Sequence, residues 1–439
     1  MRKHLTLLGA AAGIALGLAV TRPDTAIVES RAQAAVDASQ RDLLLAAFER
    51  IRADYVDELD QSKLVTAAIN GMIGVLDSQS IYLDRETFRD LQISRPLAGL
   101  GLDIIMEKGS VRVVTPIDES PAAKAGVTVN DVITHIDGVP LQGLTAYQVV
   151  EKMLGLVNTK VRLTIIRDGY DKPVELTAVR KTISMLSVRT RQDGGDIGSI
   201  RIAVFNEVTM RTFGTAIREL SSQIPPDKIK GYVLDLRNTA SGLLDVAVSV
   251  ADEFLEDGEI VSVRGRNPEQ IEHFNARPGD SINGKPLIVL INGGSAGGAE
   301  IVSGALQDHK RATVIGSRSF GRGSVQSILP LGRGHGALKL TTGRYFTPAG
   351  RSIHAAGILP DIEVLQEVPA DIKVETDTST MGESSLRGHL KGDEGKEQAG
   401  SQSYIPPDPK DDKALIRSED LLRGLITDPA FPPSLSAKN

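Results

Sequence analysis

The sequence predicts an α/β domain preceded by a β-rich module and a helical N-terminal segment, on two changes of periodicity and one alternation. Over residues 37–96 the apolar positions Leu43, Leu44, Phe48, Ile51, Tyr55 and then Leu64, Ala67, Ile69, Ile73, Leu76 recur at three- and four-residue steps, the spacing of a helix face that runs to about residue 92. From 97 to 168 the pattern shortens to β runs, GLDII at 101–105, VRVV at 111–114, DVITHI at 131–136 and VRLTII at 161–166, with helices expected at 122–125 and 146–154. From 179 to 364 strand and helix patterns alternate, at 197–204, 209–220, 231–236, 244–255, 287–291, 299–307 and 312–315. Such alternation is how a sheet covered by helices is written in sequence.

The two ends differ from this body. Residues 1–34 begin MRKH and continue into an apolar run, LTLLGAAAGIALGLAV, which is the order of an export signal. A small-residue cleavage site exists at Ala32-Gln33-Ala34, well beyond the apolar core, so a cleaved signal and a retained inner-membrane anchor are both open. The chain is therefore expected in the periplasm or another extracytoplasmic space. Residues 367–439 are rich in Ser, Gly, Asp, Glu and Lys and predict a loosely attached low-complexity tail with one short helix at 413–425. A net charge of −6, aromatics at only 4% and the absence of Trp exclude the basic stripe and stacking platform of a nucleic-acid binder. Cysteine is absent, so no disulfide or lipid thioether is available. The histidines His135, His273, His309, His335 and His354 are scattered without ligand spacing, and neither metal nor cofactor is expected.

Within 97–168, the stretches LAGLGLDI, TPIDESPAAKAGVTVNDVITHIDGVPL and VEKMLGLVNTKVRLTIIRDG resemble a PDZ domain. The resemblance implies that the loop Gly99, Leu100, Gly101, Leu102 offers backbone N–H groups to a peptide's terminal carboxylate while the next strand pairs with the peptide. Protein or peptide C-termini are then the expected partners, and leucines beside the loop suggest an apolar terminal residue.

The stretch 286–306 carries a second signal. An apolar run, PLIVLI, leads through NGGSAGG into AEIVSGAL, a strand-to-helix turn of the kind that presents a nucleophile at a helix start. Across residues 43–364, and most closely over 291–364, the sequence resembles the carboxyl-terminal processing, or tail-specific, serine peptidases, which carry an inserted PDZ domain. This resemblance implies an α/β peptidase domain of that type, with a Ser nucleophile and a Lys base.

In the family the turn reads Gly-Ser-Ala-Ser-Ala-Ser-Glu, with the middle serine as nucleophile. Here it reads Gly294-Ser295-Ala296-Gly297-Gly298-Ala299-Glu300, so Gly297 stands at the nucleophile position. The family's Phe-Gly-Lys-Gly, followed by Gln, appears as Phe320-Gly321-Arg322-Gly323 with Gln326, so Arg322 stands at the base position. A guanidinium is always protonated and accepts no proton. The family's oxyanion loop, Asn-Asn-Pro-Gly-Gly, becomes Asn238-Thr239-Ala240-Ser241-Gly242, and Ser241 and Gly242 are the expected loop positions. The expected function is that of a non-catalytic homologue, a pseudoenzyme binding C-terminal peptides, alone or with an active family member or another periplasmic protein. The alternative is an active endopeptidase cleaving near protein C-termini with an altered site, Ser295 acting as a displaced nucleophile; the bland role for Ser295 is that of a turn residue.

Overall fold

The computed structural model describes residues 38–92, 98–107, 110–117, 120–142, 144, 146–181, 187–239, 242–367, 382–386, 388–392, 396–398, 400–406 and 408–431. The export signal expected at 1–34 lies outside them. Among the described residues no helix is long and apolar enough to cross a membrane.

The chain divides into two units, Met1–Ala68 and Ile69–Asn439. In the first, the described part is helical, with the helix Ala38–Asp54 and the start of Gln61–Ile73, as the periodicity predicts. Leu43, Leu44 and Ile51 are exposed on it.

In the second unit the helical expectation for 37–96 needs correction, because a strand, Ile81–Leu83, interrupts it and pairs antiparallel with Ala337–Phe346. The Asp77 carboxylate accepts from the backbone of Gln79 and Ser80, each at 2.9 Å, a local turn that competes with helix continuation. A helix, Arg85–Gln92, follows.

The β-rich module is a sheet ordered Leu102–Glu107, Ser110–Pro116, Val132–Ile136, Lys160–Ile166 and Val174–Val179. Its last strand extends the module past residue 168, because Asp168-Gly169 turns a hairpin instead of closing the domain. Alternate residues Val111, Val113, Val161, Leu163 and Ile165 point into one core with Leu100, Ile133, Leu141 and Val149. Among the described residues Leu102–Glu107 is an edge strand, bonded on one side only, to Ser110–Pro116.

The α/β body has a six-stranded sheet ordered Ile362–Glu363, Thr313–Gly316, Leu287–Ile291, Gly231–Asp235, Ile197–Ile202 and Val188–Asp193, all neighbours parallel except the last pair. The strand Leu287–Ile291 is wholly buried and splits its side chains between two cores. Leu287, Val289 and Ile291 face the helices Thr209–Gln223, Leu244–Asp252 and Gly298–Asp308, while Ile288 and Leu290 face Leu415, Leu421 and Leu422. A parallel sheet has to be covered on both faces, and the helix Lys413–Arg423 supplies the second cover. The tail expectation is thereby corrected for its described part. The helix is an integral layer, and its polar flanks hide that in the composition. A second, antiparallel sheet joins Ile81–Leu83, Ala337–Phe346, Glu259–Gly265 and Ile271–Asn275, with Ser324–Pro330 also on Ala337–Phe346.

Candidate active site

Parallel strands end together at one edge of the sheet, and the site is assembled there. Leu287–Ile291 runs into the turn 292–297, and residues 291–300 are all buried. Gly297 precedes the helix Gly298–Asp308 with φ 55° and ψ −107°, the left-handed half of backbone space that a side chain enters only under strain. The sharp elbow that would present a nucleophile is therefore formed, and glycine relaxes it.

Side-chain and backbone bonds fix that turn to its neighbours. Ser295 Oγ donates to Leu236 O at 2.8 Å and accepts from Asn292 N at 2.9 Å. Ala296 N donates to Thr239 O at 2.9 Å, joining the elbow to the loop after Gly231–Asp235. Ser295 is fully buried and its hydroxyl is committed on both sides, which gives it a turn-forming role.

The residue that sequence reasoning missed is Glu300. Its carboxylate is fully buried and receives Gly297 N (3.0 Å) and Arg322 N (2.8 Å) on Oε2, and Gly321 N (2.6 Å) and the Ser319 hydroxyl on Oε1. One carboxyl thus holds the backbone at both the nucleophile and the base positions. Burial pushes it up to about 7, against four donors that favour the ionised form. The signal was present in sequence: a Glu three residues into a helix reaches back to the cap N–H, half of a capping box.

On the base side, the Arg322 guanidinium lies 5.3 Å from the Phe320 ring centroid. Gln326 donates to Ser324 Oγ at 3.0 Å and to Thr341 Oγ1 at 3.3 Å, and Thr341 Oγ1 donates to Asp77.

The expected oxyanion loop is described in part, since Ala240 and Ser241 lie outside the described residues. Gly242 pairs with Phe205 through an isolated parallel bridge. Beneath the loop, Arg237 is buried between Asp235 (2.7 Å) and Asp412 (2.8 Å), the latter also capping the helix Lys413–Arg423. Burial alone would raise the Asp235 carboxyl, yet the Arg237 and Arg201 charges pull it down to about 2.

In the β-rich module, Gly101 has φ 70° and Leu102 opens the edge strand. Gly99 requires correction as a carboxylate donor, because its N–H donates to Lys181 O at 3.0 Å in an isolated bridge. Leu100 is 2% exposed and packs in the module core, so its side chain does not flank a bound peptide; Leu102 is half-buried. The loop expected to receive a peptide carboxylate thus narrows to the backbone of Leu100, Gly101 and Leu102.

A strand-elbow-helix site at a sheet edge, with a β-rich module of PDZ type on the same chain, defines a peptidase-type fold of the tail-specific class. Residues 196–364 match the model of Peptidase family S41, residues 98–178 that of the PDZ domain, and residues 9–87 that of the activating protease CtpB N-terminal domain. The chain is 50% identical over 389 residues to the carboxy-terminal-processing protease of Bartonella bacilliformis, covering 88% of this chain and 89% of that one. It is 33% identical to carboxy-terminal processing protease CtpB of Bacillus subtilis, over 82% of this chain and 75% of the relative. Among solved structures, the photosystem II D1 C-terminal processing protease superposes with a TM-score of 0.61 at 28% identity, covering 81% of this chain and all of that one. The chain belongs to the carboxy-terminal-processing protease family.

Proposed function

We propose that this member of the family is an exported binder of protein C-termini whose peptidase site has lost its chemistry. The observation that carries this is the pair of side chains at the family's dyad positions. Gly297 has no nucleophile, and Arg322 holds a guanidinium that takes no proton. The scaffold around them, elbow and Glu300 clamp included, supports loss of the reactive groups with retention of the fold. Ser295, buried and bonded to Leu236 O, counts against a displaced nucleophile, since an attacking hydroxyl needs a base and an approach path.

Peptide recognition falls to the PDZ loop and to the edge strand Leu102–Glu107, which among the described residues has one side open to an added strand. The partners are protein or peptide C-termini, with an active relative or another periplasmic protein as a candidate client. An inner-membrane attachment through residues 1–34 belongs to the same proposal. The test is turnover of an unstructured protein substrate by the purified chain beside an active family member. No cleavage is expected; cleavage that disappears in Ser295→Ala would establish the active alternative. Fusing residues 1–40 to a reporter that works only in the periplasm tests export, and a silent reporter would sink that part.

A further inference from the structure

Two polar stretches far along the chain, 382–386 and 400–404, lie on the loops that hold Gly297 and Arg322. Gly293 N donates to Gln402 O at 3.0 Å, and Asn292 Nδ2 donates to Ser403 O at 3.0 Å. Ser317 Oγ donates to Gln402 O at 3.1 Å, and Ser401 Oγ reaches Arg318 O at 2.6 Å. On the other side Glu383 N donates to Phe320 O at 2.8 Å, and Leu386 is buried in a cluster with Ala296 and Phe320. These are backbone-directed bonds to an irregular segment, 400–404, and a short 3-10 turn, Glu383–Ser385, together with one apolar plug beside the elbow.

We infer that the mouth of the peptidase site is a second polypeptide-binding surface, distinct from the PDZ edge, whose occupant is this chain's own segments 382–386 and 400–404. The occupied surface closes the elbow to other polypeptides. This goes beyond the proposed function and does not depend on an inert dyad. Glu383 strengthens the fit. It is 1% exposed, its Oε2 has no hydrogen-bond partner among the described residues, and the Arg322 charge acts on it. Burial raises its carboxyl above the usual range while Arg322 opposes that rise, so the position of the lost base faces an acidic group from the tail. Gly293 shows the closeness of the approach. A Cβ there would stand 1.8 Å from Ser401 O, 2.7 Å from Ser401 C and 3.2 Å from Gln402 O, all of them atoms of the occupying segment.

The chain has no cysteine, so one introduced thiol reports accessibility without catalysis or peptide binding. Ala296→Cys, beneath Leu386, is expected to react with a maleimide about 100-fold more slowly than the exposed Lys396→Cys. Adding Gly293→Ala or Leu386→Asp is expected to speed that reaction about tenfold, while Val289→Cys in the central strand stays slow in the same backgrounds. Ala296→Cys reacting as fast as Lys396→Cys in the intact chain would overturn the inference. So would an unchanged rate in both backgrounds, or an acceleration shared by Val289→Cys, which would mean general loosening.

Discussion

The two polypeptide sites proposed for this molecule differ in which atoms would do the work. In the PDZ module the proposed recognition rests on backbone, the N–H groups of Leu100, Gly101 and Leu102 and a strand edge left unpaired among the described residues. At the elbow the family's chemistry needs a reactive side chain at each of two positions, Gly297 and Arg322, whose backbone Glu300 holds. Substitution leaves the first largely untouched, because any residue carries an N–H. On the proposed reading it disables the second, since neither glycine nor arginine can replace a hydroxyl and a neutral amine. A site made of backbone outlasts changes in sequence that empty a site made of side chains, even when both scaffolds persist.

The largest effect expected from breaking this comparison lies under the peptidase scaffold. Asp412→Ala leaves buried Arg237 with one of its two carboxylates and removes the cap of Lys413–Arg423, so stability should fall by about 3 kcal/mol. Denaturant unfolding measures it. A loss confined to the β-rich module, read from its own transition, would show the two regions to be more coupled than the separate cores imply.

Glu300 gives the next effect, and its sign is fixed. Its carboxyl sits at about 7 in the folded chain and about 4.3 when unfolded. Between those values the folded state keeps a proton that the unfolded chain has released, so stability falls as pH rises through that window, by at most about 1.4 kcal/mol per pH unit. Below the window the contribution is fully present. Glu300→Gln should flatten this slope in thermal unfolding measured from about pH 5 to about pH 7; an unchanged slope would assign it to another group.

How much of this was legible in the sequence divides along the same line. The strand-to-helix turn at 286–306, the β runs of the PDZ module and the substitutions at Gly297 and Arg322 could all be read, because each is a local pattern of residue types. Helix positions in the α/β body agree closely: 299–307 was expected and Gly298–Asp308 observed. The antiparallel sheet built on Ala337–Phe346 could not be read, since Ile81–Leu83 joins it from the far side of the PDZ module. Residues 400–404 were equally opaque. Their partners are carbonyl and amide groups of distant loops, and a Ser- and Gly-rich composition says nothing about where such groups go. Gly99 shows a subtler limit: the motif put it in the loop, while the bond to Lys181 O that occupies its N–H was invisible.

On the PDZ side, amidating a peptide C-terminus removes the charge that the loop N–H groups would receive. Affinity for an apolar-ended peptide should drop about tenfold, roughly the worth of one hydrogen bond to a charged group. Fluorescence anisotropy with acid and amide forms measures the ratio. Equal affinities would dissolve the contrast with the elbow, since the loop would then be as silent as the dyad.

The smallest effect is expected where the chemistry would be rebuilt. Gly297→Ser alone restores a hydroxyl in the elbow but leaves no base, and Arg322→Lys alone restores an amine with nothing to activate, so neither should cleave an unstructured substrate. The double variant has both groups on a backbone that Glu300 already holds at positions 297 and 322. Its serine must adopt φ 55°, at a cost of about 1–3 kcal/mol in stability, and its lysine must lose charge through burial. Turnover should therefore be weak. It should rise when Gly293→Ala is added, because displacing residues 401–402 opens the elbow to substrate. Full family-level turnover in the double variant without Gly293→Ala would show that the elbow is open as it stands, and would leave the two side chains as the whole of what this site has lost.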